Sequence, residues 1–378
     1  MAVRRRLTAA AGVLVMIGLA AACAPAPPGD FYDAPDPLPF GKPGKLIWAE
    51  PMTAPGPGLA SARVMYHSRD AQDRDVAVTG TVSYPTAEPP TGGWPVVSYG
   101  HGAEGMAPQC APSRRGATGA FWGVQGVAVA SDYYGLGPNG QRHALFSGKA
   151  EGHSMIDLIR AVRQIPGVGA GRAWIAIGVS QGGHASLFAG ERATSYAPEL
   201  SLKGVVAAEP TSGFLSSYPG DNQVIVDAVT VAALYGLAVD HPEIDPDDYV
   251  TPQVAAASSV IDTGCLAEMF LTFAAIPHDQ LFTNDPRTTP PAVDVARAND
   301  PGNQRTDAPI LLVQGTADAI VVPARTAALR TKLCANGSNV AQITIQGGTH
   351  DDSLSRARPQ VEAWIRDRLA GTPATRTC

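Results

Sequence analysis

Charge is scarce in this chain. Asp, Glu, Lys and Arg supply 16% of its 378 residues, the formal net charge is −6, and no run of Lys or Arg occurs beyond the first few positions. Such a surface argues against nucleic acid, or an anionic membrane surface, as the main partner. A small or apolar molecule is the expected one. The sequence also lacks H-E-x-x-H, a cysteine pair at metal-binding spacing, a dinucleotide fingerprint and a P-loop. No metal site and no cofactor are therefore expected. What the chain does have is apolar content: 45% of it is hydrophobic, enough for one large domain, or a domain carrying an insertion, with a substantial core.

The N-terminus follows different rules from the rest. Arg4, Arg5 and Arg6 precede an uncharged stretch from Ala9 to Ala22, shorter than the roughly 20 apolar residues a membrane-spanning helix needs. Residues 1–23 therefore read as a signal peptide, outside the fold. The segment Leu19-Ala20-Ala21-Ala22-Cys23 resembles a bacterial lipobox, with Ala three places before the cysteine where Leu is usual. It allows either a diacylglyceryl anchor on Cys23, and so membrane anchoring, or plain cleavage near the Ala cluster. The chain is expected to be exported, secreted or held at the cell envelope. Beyond Cys23 the cysteines are Cys110, Cys265, Cys334 and Cys378, an even number that in an oxidising compartment points to two disulfides with three open connectivities.

Residues 24–45 are rich in Pro and Gly and have no helical period, which fits an extended leader, either a tether or a segment that wraps the domain. β-type runs follow at Val64 to His67 and Val76 to Tyr84, consistent with an antiparallel hairpin. Short apolar runs then end, one after another, in Gly-rich loops: Pro95 to Tyr99, Val127 to Ala130, Ala173 to Ile177, Val205 to Ala208, Ile310 to Val313 and Ala341 to Ile345. Helix-period segments such as Ser154 to Ile165 lie between several of them. Strands without polar alternation, separated by helices, imply an α/β architecture with a mostly parallel sheet covered on both faces. The spacing breaks over residues 211–304, where apolar stretches from Val224 to Leu237 and from Leu266 to Ile276 occur. A plain βα unit does not need so many residues. This interval is expected to be a helical cap or lid, with the core formed by residues 46–210 and 305–378.

The chemistry sits in Gly178-Val179-Ser180-Gln181-Gly182, between a strand run and a helical stretch. A G-x-S-x-G turn from strand to helix is sharp enough to strain the serine backbone. It needs flanking glycines because a Cβ would collide with neighbouring chain. It would expose the Ser180 hydroxyl and aim the Gln181 N–H at a developing oxyanion. Serine needs a base to take its proton, and in the α/β-hydrolase fold an acid and then a histidine follow the serine in the chain. Asp318 sits in the loop after Ile310 to Val313, and His350 in Gly347-Gly348-Thr349-His350 after the last run. Glu209 is the rival acid. His101, His153, His184 and His278 are the rival bases, but none follows a strand run downstream of Asp318. Asp351 and Asp352 read as surface or capping residues. The second oxyanion donor is expected in Tyr99-Gly100-His101-Gly102-Ala103, with Ala103 N–H the candidate and Gly102 next. The aromatics of Ser131-Asp132-Tyr133-Tyr134-Gly135-Leu136-Gly137 either wall the acyl pocket or serve the structure, with structure favoured.

With these residues in view, the chain resembles the secretory lipase family of fungi and actinobacteria. The resemblance is carried by PLPFGKPGKLIWAEPM, VVSYGHG, DYYGLG, GVSQGG, VQGTADAIVVP and GGTH. It implies an α/β-hydrolase core with a helical cap, hydrolysis of carboxylic and lipid-type esters, Ser180, Asp318 and His350 as the triad, and Gln181 as elbow donor. It further implies that Cys110 pairs with Cys265 and Cys334 with Cys378. The expected reaction is two-step acyl transfer through an acyl-enzyme. The alternatives are an envelope acyltransferase using the same triad and a non-catalytic binding lipoprotein.

Overall fold

A computed structural model describes residues 26–375 and 378, so the export signal and Cys23 lie outside the described residues. Nine strands follow in chain order: β1 (Leu46–Met52), β2 (Leu59–Arg69), β3 (Asp75–Pro85), β4 (Trp94–Gly100), β5 (Val127–Ser131), β6 (Ala170–Val179), β7 (Ser201–Ala208), β8 (Ile310–Gly315) and β9 (Val340–Ile345). They form one sheet in the order β1-β2-β3-β5-β4-β6-β7-β8-β9. The pairs β1/β2, β2/β3 and β3/β5 are antiparallel, and every pair from β5 to β9 is parallel. The expected hairpin is β2 with β3, in a register that sets Val64 opposite Gly80. Strand β1 has no counterpart in the apolar runs, because Glu50 and Pro51 interrupt it. As an edge strand it tolerates a residue without an N–H.

The helices are α1 (Gly148–Val162), α2 (Gln181–Tyr196), α3 (Gln223–Asp240), α4 (Pro252–Ala257), α5 (Val260–Thr263), α6 (Leu266–Ala274), α7 (Ala292–Ala298), α8 (Pro323–Ala335), α9 (Ser353–Arg356) and α10 (Arg358–Leu369). Side chains of a strand alternate between its faces, and here each face has its own core. Trp174, Ala176, Ala207 and Leu312 pack with Ile156 and Ile159 of α1, Leu187 of α2 and Leu333 of α8. Ile175, Ile177, Val206 and Leu311 pack on the other side with Val361 and Ile365 of α10. Covering both faces is what lets the apolar runs of these strands proceed without polar alternation.

The interval between β7 and β8 holds α3 to α7 and builds a separate core, in which Val231, Leu234, Phe273 and Leu281 pack against Met106, Leu145 and Phe146. Disulfides join Cys110 to Cys265 and Cys334 to Cys378, the pairing that the resemblance implied. From Phe31 onward the leader wraps the domain. Phe31 and Tyr32 are buried with Trp48 and Met65, Trp48 Nε1 donates to the Phe31 carbonyl at 3.1 Å, and the Arg114 guanidinium stacks 3.6 Å above the Tyr32 ring.

Candidate active site

Strand β6 ends at Val179 and α2 begins at Gln181, leaving Ser180 to make the whole turn. Its φ of 57° and ψ of −120° lie in a region that non-glycine residues rarely occupy. The crowding expected of the elbow is present. A Cβ on Gly178 would collide with the Gly182 carbonyl, and one on Gly182 with the carbonyl of Gly100 at the end of β4. Ser180 N–H donates to Ala208 O at 2.9 Å and its carbonyl accepts from His184 N–H at 3.1 Å, which tie the elbow to β7 and to the first turn of α2.

The loop after β4 lies beside Ser180: a Cβ on Gly102 would stand 3.9 Å from that of the serine. Among the described residues neither Ala103 N–H nor Gln181 N–H is engaged in another hydrogen bond. At the first position of a helix the amide has no intrahelical acceptor. Tyr133, fully buried, donates its hydroxyl to His101 O at 3.1 Å and supports this loop from behind. The Asp132 carboxylate is taken up by Ser113 N–H at 2.9 Å and Thr79 Oγ1 at 2.6 Å. The Asp-Tyr-Tyr-Gly loop is therefore structural, and the aromatic residues that line the cavity are Tyr99, Trp122, Phe146, Phe214 and Phe270.

Asp318 and His350 meet across the ends of β8 and β9. His350 Nδ1–H donates to Asp318 Oδ2 at 2.8 Å, while Ile320 N–H and Val321 N–H donate to Oδ1 at 2.8 and 2.9 Å. Burial pushes the imidazole toward its neutral form. The hydrogen bond and charge of Asp318, helped by Glu209 and Asp351, outweigh that and leave its pKa raised. Asp352 accepts from Thr349 N–H at 2.8 Å and shapes the loop, and Asp351 lies at the cavity mouth. Ser180 and His350 line the same cavity, but no hydrogen bond joins the serine hydroxyl to the imidazole.

The rival bases are occupied elsewhere. His101 Nδ1 is 2.7 Å from the Gly102 carbonyl, and His278 Nδ1 is 2.9 Å from Asp227. His153 stacks on Tyr196, where burial lowers it to about 3. His184 sits under the elbow in a polar cluster that sequence reasoning missed. Glu151 accepts from Gln181 Nε2 at 2.7 Å and contacts His184 Nδ1 at 2.8 Å. His143 donates from Nδ1 to Tyr134 O at 2.7 Å, so its Nε2 is free to accept from Gln181 Nε2 at 2.7 Å. Burial holds His143 neutral by lowering it to about 4. The cluster anchors the Gln181 side chain at the start of α2. The only hint of it in the sequence is a Glu and a His in otherwise apolar surroundings.

The cavity above the elbow measures about 1120 Å³. Ala103, Ser180 and His350 form its floor, and Val229, Phe270 and Leu271 line it from the insertion. Helix α3 is apolar enough by length and composition to cross a membrane. It is so because one side packs in the second core while residues such as Val229 face the cavity. A carboxylate oxygen of Glu209, one of Asp318 and a ring nitrogen of His350 lie within 4.8 Å of one another, a grouping that could geometrically hold a cation.

Comparison with known proteins places this geometry. Over 207 residues the chain is 28% identical to Lipase A of Moesziomyces aphidis, an alignment covering 49% of this chain and 43% of that protein. It thus spans less than half the length of that relative. It is 24% identical over 343 residues to a Mycobacterium tuberculosis protein named a probable inactive lipase, covering 84% and 75% of the two chains. Among solved structures, Candida antarctica lipase A superposes with a TM-score of 0.78 at 20% identity, over 93% of this chain and 88% of that one. The rice cell wall degrading esterase LipA of Xanthomonas oryzae superposes with a TM-score of 0.71 at 18% identity, over 88% and 100%. These likenesses establish the α/β-hydrolase fold. The family model for secretory lipases matches residues 124–377, a stretch holding the elbow, the insertion and the ends of β8 and β9, and the chain belongs to the secretory lipase family.

Proposed function

We propose that this chain is a serine hydrolase that cleaves carboxylic esters with apolar acyl groups, using Ser180 as nucleophile, His350 as base and Asp318 as the acid that orients the base. The observation that carries the reading is the meeting, on one cavity floor, of a strained serine at a helix N-terminus and a histidine bound to a buried aspartate at 2.8 Å. In the first step His350 takes the Ser180 proton and Ser180 attacks the ester carbonyl. The oxyanion is held by the N–H groups of Gln181 and Ala103. His350 then gives its proton to the departing alcohol, takes one from the attacking water, and returns it to Ser180 as the acid leaves. Asp318 stays ionised throughout and stabilises the imidazolium. The residues 211–304 act as a cap whose apolar lining takes the acyl chain.

Export and anchoring belong to the same reading. Two disulfides suit an oxidising compartment, and membrane attachment would run through Cys23. Hydrolysis of p-nitrophenyl esters from acetate to palmitate, beside Ser180→Ala, tests the reaction. The wild type should cleave them and the variant should lose nearly all turnover. Equal inactivity of both would overturn the proposal. Failure of Cys23→Ala to change the distribution between membrane and medium would overturn the anchor.

A further inference from the structure

The carboxyl edge of the sheet carries a second acid. Glu209 follows β7 directly, is fully buried, and has a φ of 44°, a left-handed conformation that persists only where its surroundings impose it. Gly315 N–H donates to its Oε1 at 3.3 Å, and its Oε2 has no hydrogen-bond partner among the described residues. A carboxylate oxygen of Glu209, one of Asp318 and a ring nitrogen of His350 all lie within 4.8 Å of one another.

Two carboxylates so close do not both ionise readily. Asp318 accepts three donors, from Ile320, Val321 and His350, and is the charged member. Glu209 accepts one, and is the member that carries a proton. Burial first, then the charge of Asp318, lift Glu209 to about 7, against the lowering by Ser353, His350 and Gly315.

We propose that Glu209 is a proton-carrying positioning residue for the His350–Asp318 pair. As the neutral acid it fills the space between the ends of β7 and β9. As the carboxylate it adds a second negative charge beside the imidazolium that forms when His350 accepts the Ser180 proton. The titrating groups that face it are Asp318 from the loop after β8 and His350 from the loop after β9, with Asp351 acting on His350 from the mouth. Its proton passes to solvent as pH rises, and no other bond changes. This inference rests on the Ser180–Asp318–His350 reading.

The test is kcat/KM for a p-nitrophenyl ester on the full mature chain, from about pH 5 to about pH 9. The wild type should rise in two ionisations belonging to the coupled pair. Glu209→Gln should rise in one, to an alkaline plateau lower by on the order of tenfold. A merely structural glutamate would leave the shape of the profile unchanged. Ser353→Ala removes the hydroxyl that lowers Glu209, and should move the two-step profile to higher pH, so the idea does not depend on Glu209→Gln folding. A single ionisation in the wild type, a Glu209→Gln profile that superimposes on it, or an unmoved profile in Ser353→Ala would each overturn the role of Glu209. Full turnover in Ser180→Ala would instead overturn the triad reading on which it rests.

Discussion

Gly178 and Gly182 approach so closely across the elbow that a Cβ on Gly178 would run into the Gly182 carbonyl oxygen. Because the obstacle is backbone on both sides, no rotamer change relieves it. Gly182→Ala, whose Cβ would also meet the Gly100 carbonyl, should destabilise the fold by roughly 1–3 kcal/mol and lower kcat more than it raises KM. Thermal melting with steady-state kinetics checks this, and a variant with unchanged Tm and kcat would contradict the packing argument.

Asp318 fixes the tautomer of His350 through the 2.8 Å bond to Nδ1. Asp318→Asn should leave the protein folded and cut kcat by roughly 10⁴-fold, the scale expected when the base is held with its proton on the wrong nitrogen. The His350 pKa is raised, and the neutral imidazole is the base. Activity should therefore fall as pH drops through a value above the ordinary histidine figure of about 6.5. An acid limb lying below that figure would count against His350 as the base.

Cys110 and Cys265 tie the loop after β4 to the start of α6, where Leu266 N–H also donates to Glu104 O at 2.9 Å. The paired change Cys110→Ser with Cys265→Ser should cost about 2–5 kcal/mol of stability. It should lower kcat as well, since Ala103 sits one residue before Glu104. Denaturant unfolding and turnover of a short ester measure the two effects. Loss of stability with full kcat would show that the oxyanion loop holds its shape without the tie.

Val229 on α3 lines the cavity. Val229→Trp should shift the preferred acyl length toward shorter chains while leaving acetate cleavage within a few-fold of wild type. A kcat/KM series over chain length reads this directly, and an unshifted optimum would place the acyl chain elsewhere.

Glu191 on α2 is pushed up to about 7, chiefly by burial. The folded chain keeps a proton that the unfolded chain loses near its ordinary value, about 4.3. Stability from this group is thus complete at low pH, falls as pH rises from the unfolded to the folded pKa, and is level above about 7. Glu191→Gln should flatten that slope, gaining up to about 3 kcal/mol at pH 8 relative to pH 4. Parallel pH–stability curves for the two proteins would refute it.

The strands from β4 to β8 were legible because burial on both faces gives each an apolar run, and the elbow was legible because its crowding demands glycine at two fixed positions. Strand β1 was not, since an edge position accepts the Glu50 and Pro51 that mask it. Asp318 and His350 could be read from chain order. The adjacency of Glu209 to both could not, because it arises only where the ends of β7, β8 and β9 converge. Nor could the Glu151–Gln181–His143 cluster, whose members lie 30 and 38 residues from Gln181 in the chain.

The bond between Cys110 and Cys265 spans a sequence separation of 155, and this constrains the order in which the molecule can be assembled. During synthesis from the N-terminus the loop bearing Ala103 appears early, followed by the elbow, and only much later by the cysteine that secures that loop. Through that whole interval the loop must wait on a partner from a different structural unit. Completion of the loop after β4 is thereby coupled to arrival of the helical segment between β7 and β8.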